Sequence, residues 1–532
     1  MDHLPSLIAW ATTTPSTTTA SGGGTISAGP SPLGGCGLFF HGHQIDQPSS
    51  TSSLLATVRS DRLLTARAVL SHATAHDPAL HTVLASLLID FPPPQWTSAA
   101  DISAPVQRRV LVTYLALHRA RSASALSSSP WAPYLAHLLD HVRVSTPAAT
   151  WSEAAVRRLG GTGVPQMVAA KRRALAAEHA TWSAAVTSSS IDDATVAADL
   201  ARVPLEEYMR IDALYWTRVL ELPEPNSESR IELAMVPVLD FANHRFPSSS
   251  TPVPGEAFVR WERDASGNVE IHVADLSSLS GPTELVLCYG ADKPNSDLLF
   301  AHGFVVPNNT RGSLPVPWAP EIQMLAESDA ALAARIQWAA SAGHLPPVLR
   351  LRASVVSAPL PPPAPVNGRP DLRAMVQWVR DHAAHPDAVS AAVLIALSDA
   401  AASAIMDLGG SSSDGGDNAP GYSDSSTAVI QDELMRALKD DSADPERAGL
   451  VAARTLELFA VVLGRVAREL AYARLTDQGG SEEEGEEMQV ARMYAGQVEA
   501  VVRRVLEVVG GSDPDGGDEG EHEGVPGGAA DE

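Results

Sequence analysis

Most of this chain reads as helix, but between Met235 and Phe304 the hydrophobic pattern changes period, and that change constrains the fold more than any other feature. The apolar run Pro237-Val238-Leu239-Asp240-Phe241-Ala242 ends in the polar pair Asn243-His244. A second apolar run, Glu284-Leu285-Val286-Leu287-Cys288, ends in Tyr289-Gly290, and Asn295-Ser296-Asp297-Leu298-Leu299-Phe300-Ala301-His302-Gly303-Phe304 follows it. Between the first two, Phe258–Glu262 and Val269–Val273 read as strands joined by the turn Asp264-Ala265-Ser266-Gly267-Asn268. Asn295 is a good N-cap for a short helix that Gly303 ends.

On either side the signals differ. Leu4–Ala11 suits a short amphipathic helix, Thr12–Pro32 a flexible Thr/Ser/Gly loop, and Gly34-Gly35-Cys36-Gly37-Leu38-Phe39-Phe40 a sharp turn into an apolar strand. Leu54–Val58 and Leu63-Leu64 read as short strands. From about Thr65 to Tyr208 the pattern is helical, with a capping box at Thr150-Trp151-Ser152-Glu153, a stop at Gly160-Gly161 and a polar break at Thr187–Ser190. After Pro307 helices are expected over 319–341, 371–382, 388–408, 427–439, 445–475 and 487–509. The run Pro359-Leu360-Pro361-Pro362-Pro363 and the Ser/Gly/Asp segment after Gly409 read as disordered breaks.

A single core stops growing at about 250–300 residues, so 532 residues imply two folded domains plus linkers. With 38 Lys and Arg against 63 Asp and Glu, the formal net charge is −25. Eight acids lie in Asp513–Glu532, five in Ser481–Glu487 and three in Ser411–Asp424, which leaves about −9 for the rest. A body this acidic lacks the basic footprint of a nucleic-acid binder. It could attract a basic protein segment, though a solvated acidic surface explains it equally. Two cysteines, Cys36 and Cys288, make neither a disulfide framework nor a zinc site, which suggests a reduced compartment and no metal. The longest apolar helix, Ala448–Leu475, is broken by Arg454, Glu457, Arg465, Arg468, Glu469 and Arg474, so no membrane span is expected. No basic region precedes an apolar stretch at the N-terminus, so no secretory signal is expected either.

The ordered trio of motifs resembles the carboxyl half of a SET domain, in the branch typified by the Rubisco large-subunit methyltransferase. The resemblance spans roughly residues 1–310. It implies an α+β fold: a SET domain of short β-sheets over 1–312 with a helical insertion at about 66–212, then an all-α substrate-binding domain over 318–510 and an acidic disordered tail over 511–532. It also implies methyl transfer from S-adenosyl-L-methionine to a lysine of a protein substrate, by an intracellular monomer in nucleus or cytoplasm.

The chemistry says what such a site needs. A lysine amine has a reference pKa of about 10.4, so deprotonation at neutral pH costs about 4–5 kcal/mol. A dry channel beside a sulfonium lowers that cost, and alignment of nitrogen, methyl and sulfur supplies the rest. By resemblance, Tyr289 is the catalytic tyrosine at the channel throat, orienting the amine. Standing alone, it could be a tyrosine closing a buried strand. Asn243 and His244 match the pair that grips the cofactor, and Gly35, Cys36 and Gly37 match the glycine loop at the start of the domain, with Cys36 where arginine is usual. Arg218, in Thr217-Arg218-Val219-Leu220, either helps hold cofactor or makes an ordinary helix-surface salt bridge. Asp240, Phe258, His302 and Phe304 match the substrate side. Asp240 could instead pair within the core. His302 stands where tyrosine is common, and Phe258 near another such position, so substrate choice is where this chain should differ. A catalytically inactive interaction module and histidine methylation on the same scaffold are the alternatives.

Overall fold

The computed structural model describes residues 3–13, 24–42, 54–88, 92–93, 96, 102–120, 129–188, 203–224, 227–247, 253–274, 279, 281–341, 345–346, 348–361, 372–396, 445–475 and 485–509. The chain divides into two compact units, one of residues 1–152, 166–293 and 297–304, the other of 153–165, 294–296 and 305–532.

In the first unit the strands are β1 (Thr12–Thr13), β2 (Thr25–Pro30), β3 (Cys36–Gly42), β4 (Leu54–Val58), β5 (Leu64–Thr65), β6 (Val219–Glu224), β7 (Ser227–Met235), β8 (Asn243–His244), β9 (Glu256–Arg263), β10 (Val269–Val273) and β11 (Gly281–Leu287). They form one sheet in the order β1-β4-β10-β9-β11-β3-β2, with β8 beside β11, and a smaller sheet β5-β7-β6. The expected loop over Thr12–Pro32 is corrected in part. Thr25–Pro30 is a strand paired with β3, because the turn at Gly34 (φ 107°) and Gly35 (φ 63°) folds it back onto the apolar run. Residues 14–23 lie outside the described segments.

β11 is the hub of the sheet. Leu285 faces Leu38 of β3 across an antiparallel ladder, while Val286 faces both Phe258 of β9 and Asn243 of β8 in parallel register. Two strands therefore flank β11 at Val286, and β8 continues the edge that β3 leaves. The hairpin β9–β10 forms as expected, Asp264 N–H donating to the Asn268 carbonyl at 2.9 Å across a turn with Gly267 at φ 82°.

The helices of this unit include α1 (Leu4–Ala11), α2 (Ala66–His76), α3 (Pro78–Leu87), α4 (Ala104–Ala120) and α5 (Ala132–Ala136). One apolar core joins them to the sheets, running from Leu4 through Val110, Tyr134 and Ile211 to Leu287. Charge inside the helical insertion is compensated. Arg108 is held bidentate by Glu178 and paired with the buried Asp212, and Lys171 takes the other Asp212 oxygen at 2.8 Å. The Thr150 hydroxyl does not cap Glu153. It donates to the Thr146 carbonyl and accepts from the Thr146 N–H, because a turn over 146–150 claims it first.

The second unit begins with α6 (Glu153–Arg157), after which Gly161 adopts φ 81°. The first unit then resumes with α7 (Val164–Ser188), α8 (Leu205–Arg218) and α9 (Asn295–His302), of which α7 and α9 begin in the second unit's segments. The second unit continues with α10 (Ala319–Ser328), α11 (Ala330–Ser341), α12 (Leu372–Trp378), α13 (Pro386–Ala396), α14 (Pro445–Leu475) and α15 (Glu486–Val509). The helix expected over 319–341 breaks at Asp329, whose carboxylate accepts from the Ala331 and Leu332 N–H groups as an N-cap. The unit also holds a small antiparallel pair, β12 (Ser313–Pro317) with β13 (Val348–Arg352). Asn295 does not use its side chain as a cap. Its amide ties the Val306 backbone, Asn309 and Gln497 together. The expected helix over 427–439 and the acidic tail over 511–532 lie outside the described residues. Among the described residues no helix is long and apolar enough to cross a membrane.

Candidate active site

Three separated segments meet beside β11. The first is the loop into β3. Gly34 and Gly35 are exposed, in left-handed conformations that L-residues with side chains avoid, and a methyl group on either would meet nothing within 4 Å. Gly37 is different: a Cβ there would stand 2.6 Å from Glu284 Oε1, so glycine is needed for the strand to pass that carboxylate. The Ser31 hydroxyl donates to the same oxygen at 2.6 Å.

The second segment follows β7. Val238 is fully buried at φ 73°, ψ −51°, a conformation that a β-branched residue adopts only under strain. It swings the chain into a short turn, Leu239–Phe241, closed by the Ala242 N–H to the Leu239 carbonyl at 3.0 Å. Asn243 and His244 then join the edge of β11. Asn243 Nδ2 donates to Glu284 Oε1 at 3.1 Å and lies 3.5 Å from the Gly34 and Cys36 carbonyls. The glycine loop and the Asn-His pair are thus joined through Glu284, a buried carboxylate that sequence reasoning did not single out. Its signal was a charged residue inside an apolar strand, which is costly unless partnered.

The third segment is the end of β11. Tyr289 N–H donates to His244 Nδ1 at 3.1 Å, and its phenol donates to the Ala242 carbonyl at 3.0 Å. Rings gather around it: His244 at 5.1 Å, His302 at 5.0 Å and Phe304 at 6.5 Å between centroids. Gly303 lies between His302 and Phe304. It sits at φ 82°, and a Cβ there would run into the Ser145 carbonyl. Phe258 stands apart. It is an exposed residue of β9 opposite Val286, and among the described residues no ring contact joins it to Tyr289, His302 or Phe304. The sequence-predicted residues therefore come together, with Phe258 at the margin.

Beneath Tyr289 lies a buried charge cluster. Arg218, the last residue of α8, turns inward, and its Nη1 donates to the Asp240 carbonyl at 2.8 Å and to Asp240 Oδ2 at 3.2 Å. Tyr134 donates to the same Oδ2 at 2.7 Å. Asp240's side chain is 0% exposed, so Arg218 is no helix-surface salt bridge. Asp240 Oδ1 is buried and has no hydrogen-bond partner.

Burial pushes the Asp240 carboxyl up, against the opposing pull of Arg218 and Tyr134. Burial also pushes the Tyr289 phenol up to about 12, with Arg218 lowering it and Asp240 raising it. At neutral pH the phenol keeps its proton, and that proton is already given to Ala242. What remains of the oxygen is acceptor capacity. Burial lowers His302 to about 3, helped by Lys293 and His244, so this ring is neutral. Its Nδ1 is buried without a hydrogen-bond partner.

These features fit S-adenosylmethionine. The open glycine turn lets a ligand approach backbone, Asn243 offers an amide beside two carbonyls, and Arg218 in the buried cluster is neutralised by Asp240.

No family model matches the sequence, and no curated protein does. Solved structures do match in shape. The SET domain of LSMT bound to MeLysine and AdoHcy superposes with a TM-score of 0.50 at 13% identity, over 91% of this chain and 86% of that one. Rubisco LSMT bound to Sinefungin and Monomethyllysine gives 0.50 at 13%, over 96% and 92%. The chain has the SET-domain fold. The α+β fold class expected from the motifs is therefore present.

Proposed function

We propose that this protein transfers a methyl group from S-adenosylmethionine to a lysine side chain of a protein substrate. The supporting observation is the convergence of Gly34–Gly37, Asn243-His244 and Tyr289 about one strand end, with a buried Asp240–Arg218 pair behind them. S-adenosylmethionine, when bound, supplies the activated methyl on a sulfonium. Gly35, Cys36, Gly37, Asn243 and His244 hold it. Tyr289 acts as an acceptor for an amine N–H and fixes the lone-pair direction. Its high pKa means it is no base at neutral pH, so the amine proton is lost to solvent before transfer. The Asp240 side chain is wholly buried and paired with Arg218 behind Tyr289, and His302 and Phe304 form the channel wall.

The helical unit is assigned the substrate-binding role, with the protein working as a monomer on a segment that is basic enough to suit a chain of net charge −25. The test is calorimetric titration with S-adenosylmethionine, followed by radiolabelled methyl transfer into a lysate of matching origin. Binding by the native chain, loss of affinity in Asn243→Ala and labelled protein support the reading. Binding with no labelled protein would replace it with an inactive SET-fold interaction module.

A further inference from the structure

Tyr134 belongs to a helix of the insertion, 106 residues before the carboxylate it reaches. It is fully buried. A buried tyrosine needs a partner for its hydroxyl, and any backbone carbonyl would do. Here the partner is the single carboxylate of the turn that precedes the Asn-His pair.

That turn is short and tightly bonded. Asp240 is its middle residue, Ala242 closes it, and the Ala242 carbonyl receives the Tyr289 phenol at 3.0 Å. Asp240 Oδ2 is gripped from two directions, by Tyr134 at 2.7 Å and by Arg218 at 3.2 Å, while Oδ1 has no partner. If either donor is lost, the turn that carries the Ala242 carbonyl loses one of the two side-chain bonds that anchor it.

We propose that Tyr134 is a positioning residue for Tyr289: by hydrogen-bonding Asp240 it fixes the turn whose Ala242 carbonyl orients the phenol. The proposal rests on the methyl-transfer reading for its kinetic consequence alone.

The titratable and charged groups facing Asp240 are Arg218 from α8, Tyr134 from α5, Tyr289 beyond β11 and Cys36 of β3. His137 also feels Arg218, and its ring packs edge-on against Phe241 in the turn at 5.0 Å. Tyr134 and Arg218 both favour the ionised carboxylate. Without the Tyr134 hydroxyl the turn is held less firmly, and the phenol loses part of its bond to the Ala242 carbonyl. That bond favours the neutral phenol, so weakening it lets Arg218 pull the phenol down. A side chain that merely filled space would leave the Tyr289 titration alone.

The experiment uses the full chain with Cζ-labelled tyrosine, following the Tyr289 carbon resonance by NMR from pH 8 upward, with Tyr289→Phe assigning the signal. In Tyr134→Phe the titration should start about one pH unit lower. The initial rate of methyl transfer at saturating S-adenosylmethionine should fall about tenfold, with cofactor Kd changed less than about twofold. Replacing Tyr134 by 3-fluorotyrosine, which keeps shape and donor, should preserve both rate and titration, and it carries the test if Tyr134→Phe does not fold. An unmoved Tyr289 titration in folded Tyr134→Phe overturns the proposal, as does a fluorotyrosine protein that has lost the wild-type rate or titration. If the native chain transfers no methyl at all, the functional reading fails while the titration still decides this one.

Discussion

Replacing Arg218 by methionine tests the buried charge cluster. The substitution keeps the stem and removes the guanidinium that neutralises Asp240, whose side chain is wholly buried. Only the Tyr134 hydroxyl then remains on Oδ2. Removing one partner of a buried pair costs about 3–5 kcal/mol, because the other charge is left uncompensated. The carboxyl can escape part of this by taking up a proton, and the loss should therefore depend on pH. A carboxyl whose folded pKa lies above its unfolded one binds more protons in the native state, so its stability contribution is lost as pH rises through that window. Asp240 is already raised in the native protein, and losing Arg218 raises it further. Between the two folded values the variant should lose about 1.4 kcal/mol more per pH unit than the native chain. Urea denaturation at pH 5 and pH 8 measures this. The native-minus-variant difference should be smaller at pH 5 than at pH 8 and should grow towards about 3–5 kcal/mol as pH rises. The double variant with Asp240→Asn should erase the pH dependence. A difference equal at both pH values would refute the argument.

Three further outcomes follow from particular contacts. Gly303→Ala should cost more than about 3 kcal/mol, since the residue is at φ 82° and its Cβ meets backbone, and thermal unfolding would reveal it. Gly37→Ala should displace the Glu284 carboxylate that holds Asn243, weakening S-adenosylmethionine binding about tenfold by calorimetry with little change in fold. His137 and His302, both held to about 3 chiefly by burial, bind fewer protons folded than unfolded. Stability should therefore fall as pH drops from about 6.5 towards 3, by up to about 1.4 kcal/mol per pH unit for each, and His302→Phe should flatten that slope in urea titrations.

Much of this was legible in the residues because strand periods and glycine punctuation act locally. The hairpin at Asp264–Asn268, the strand after Gly37 and the helix ended by Gly303 are set by neighbours in sequence. The ladder through Thr25–Pro30 was not legible. Its Thr/Ser/Gly composition suits a loop, and it becomes a strand only because β3 lies beside it. Asn295 and Thr150 look like caps, yet distant or competing backbone groups take their side chains. Within the site, Asn243, His244 and Tyr289 announced themselves as polar residues ending apolar runs. Val238's left-handed backbone left no trace, since valine is among the last residues expected there. Glu284 and Tyr134 gain their meaning from partners 41 and 106 residues away.

The central claim is that the segments meeting at Tyr289 move a methyl group onto lysine. Its most direct test is amino-acid analysis of protein labelled by the native chain from radioactive S-adenosylmethionine, in parallel with Tyr289→Phe. The account predicts label in methyllysine from the native chain and a drop of about a hundredfold or more in the variant. Label in methylhistidine, or equal labelling by the variant, would contradict it.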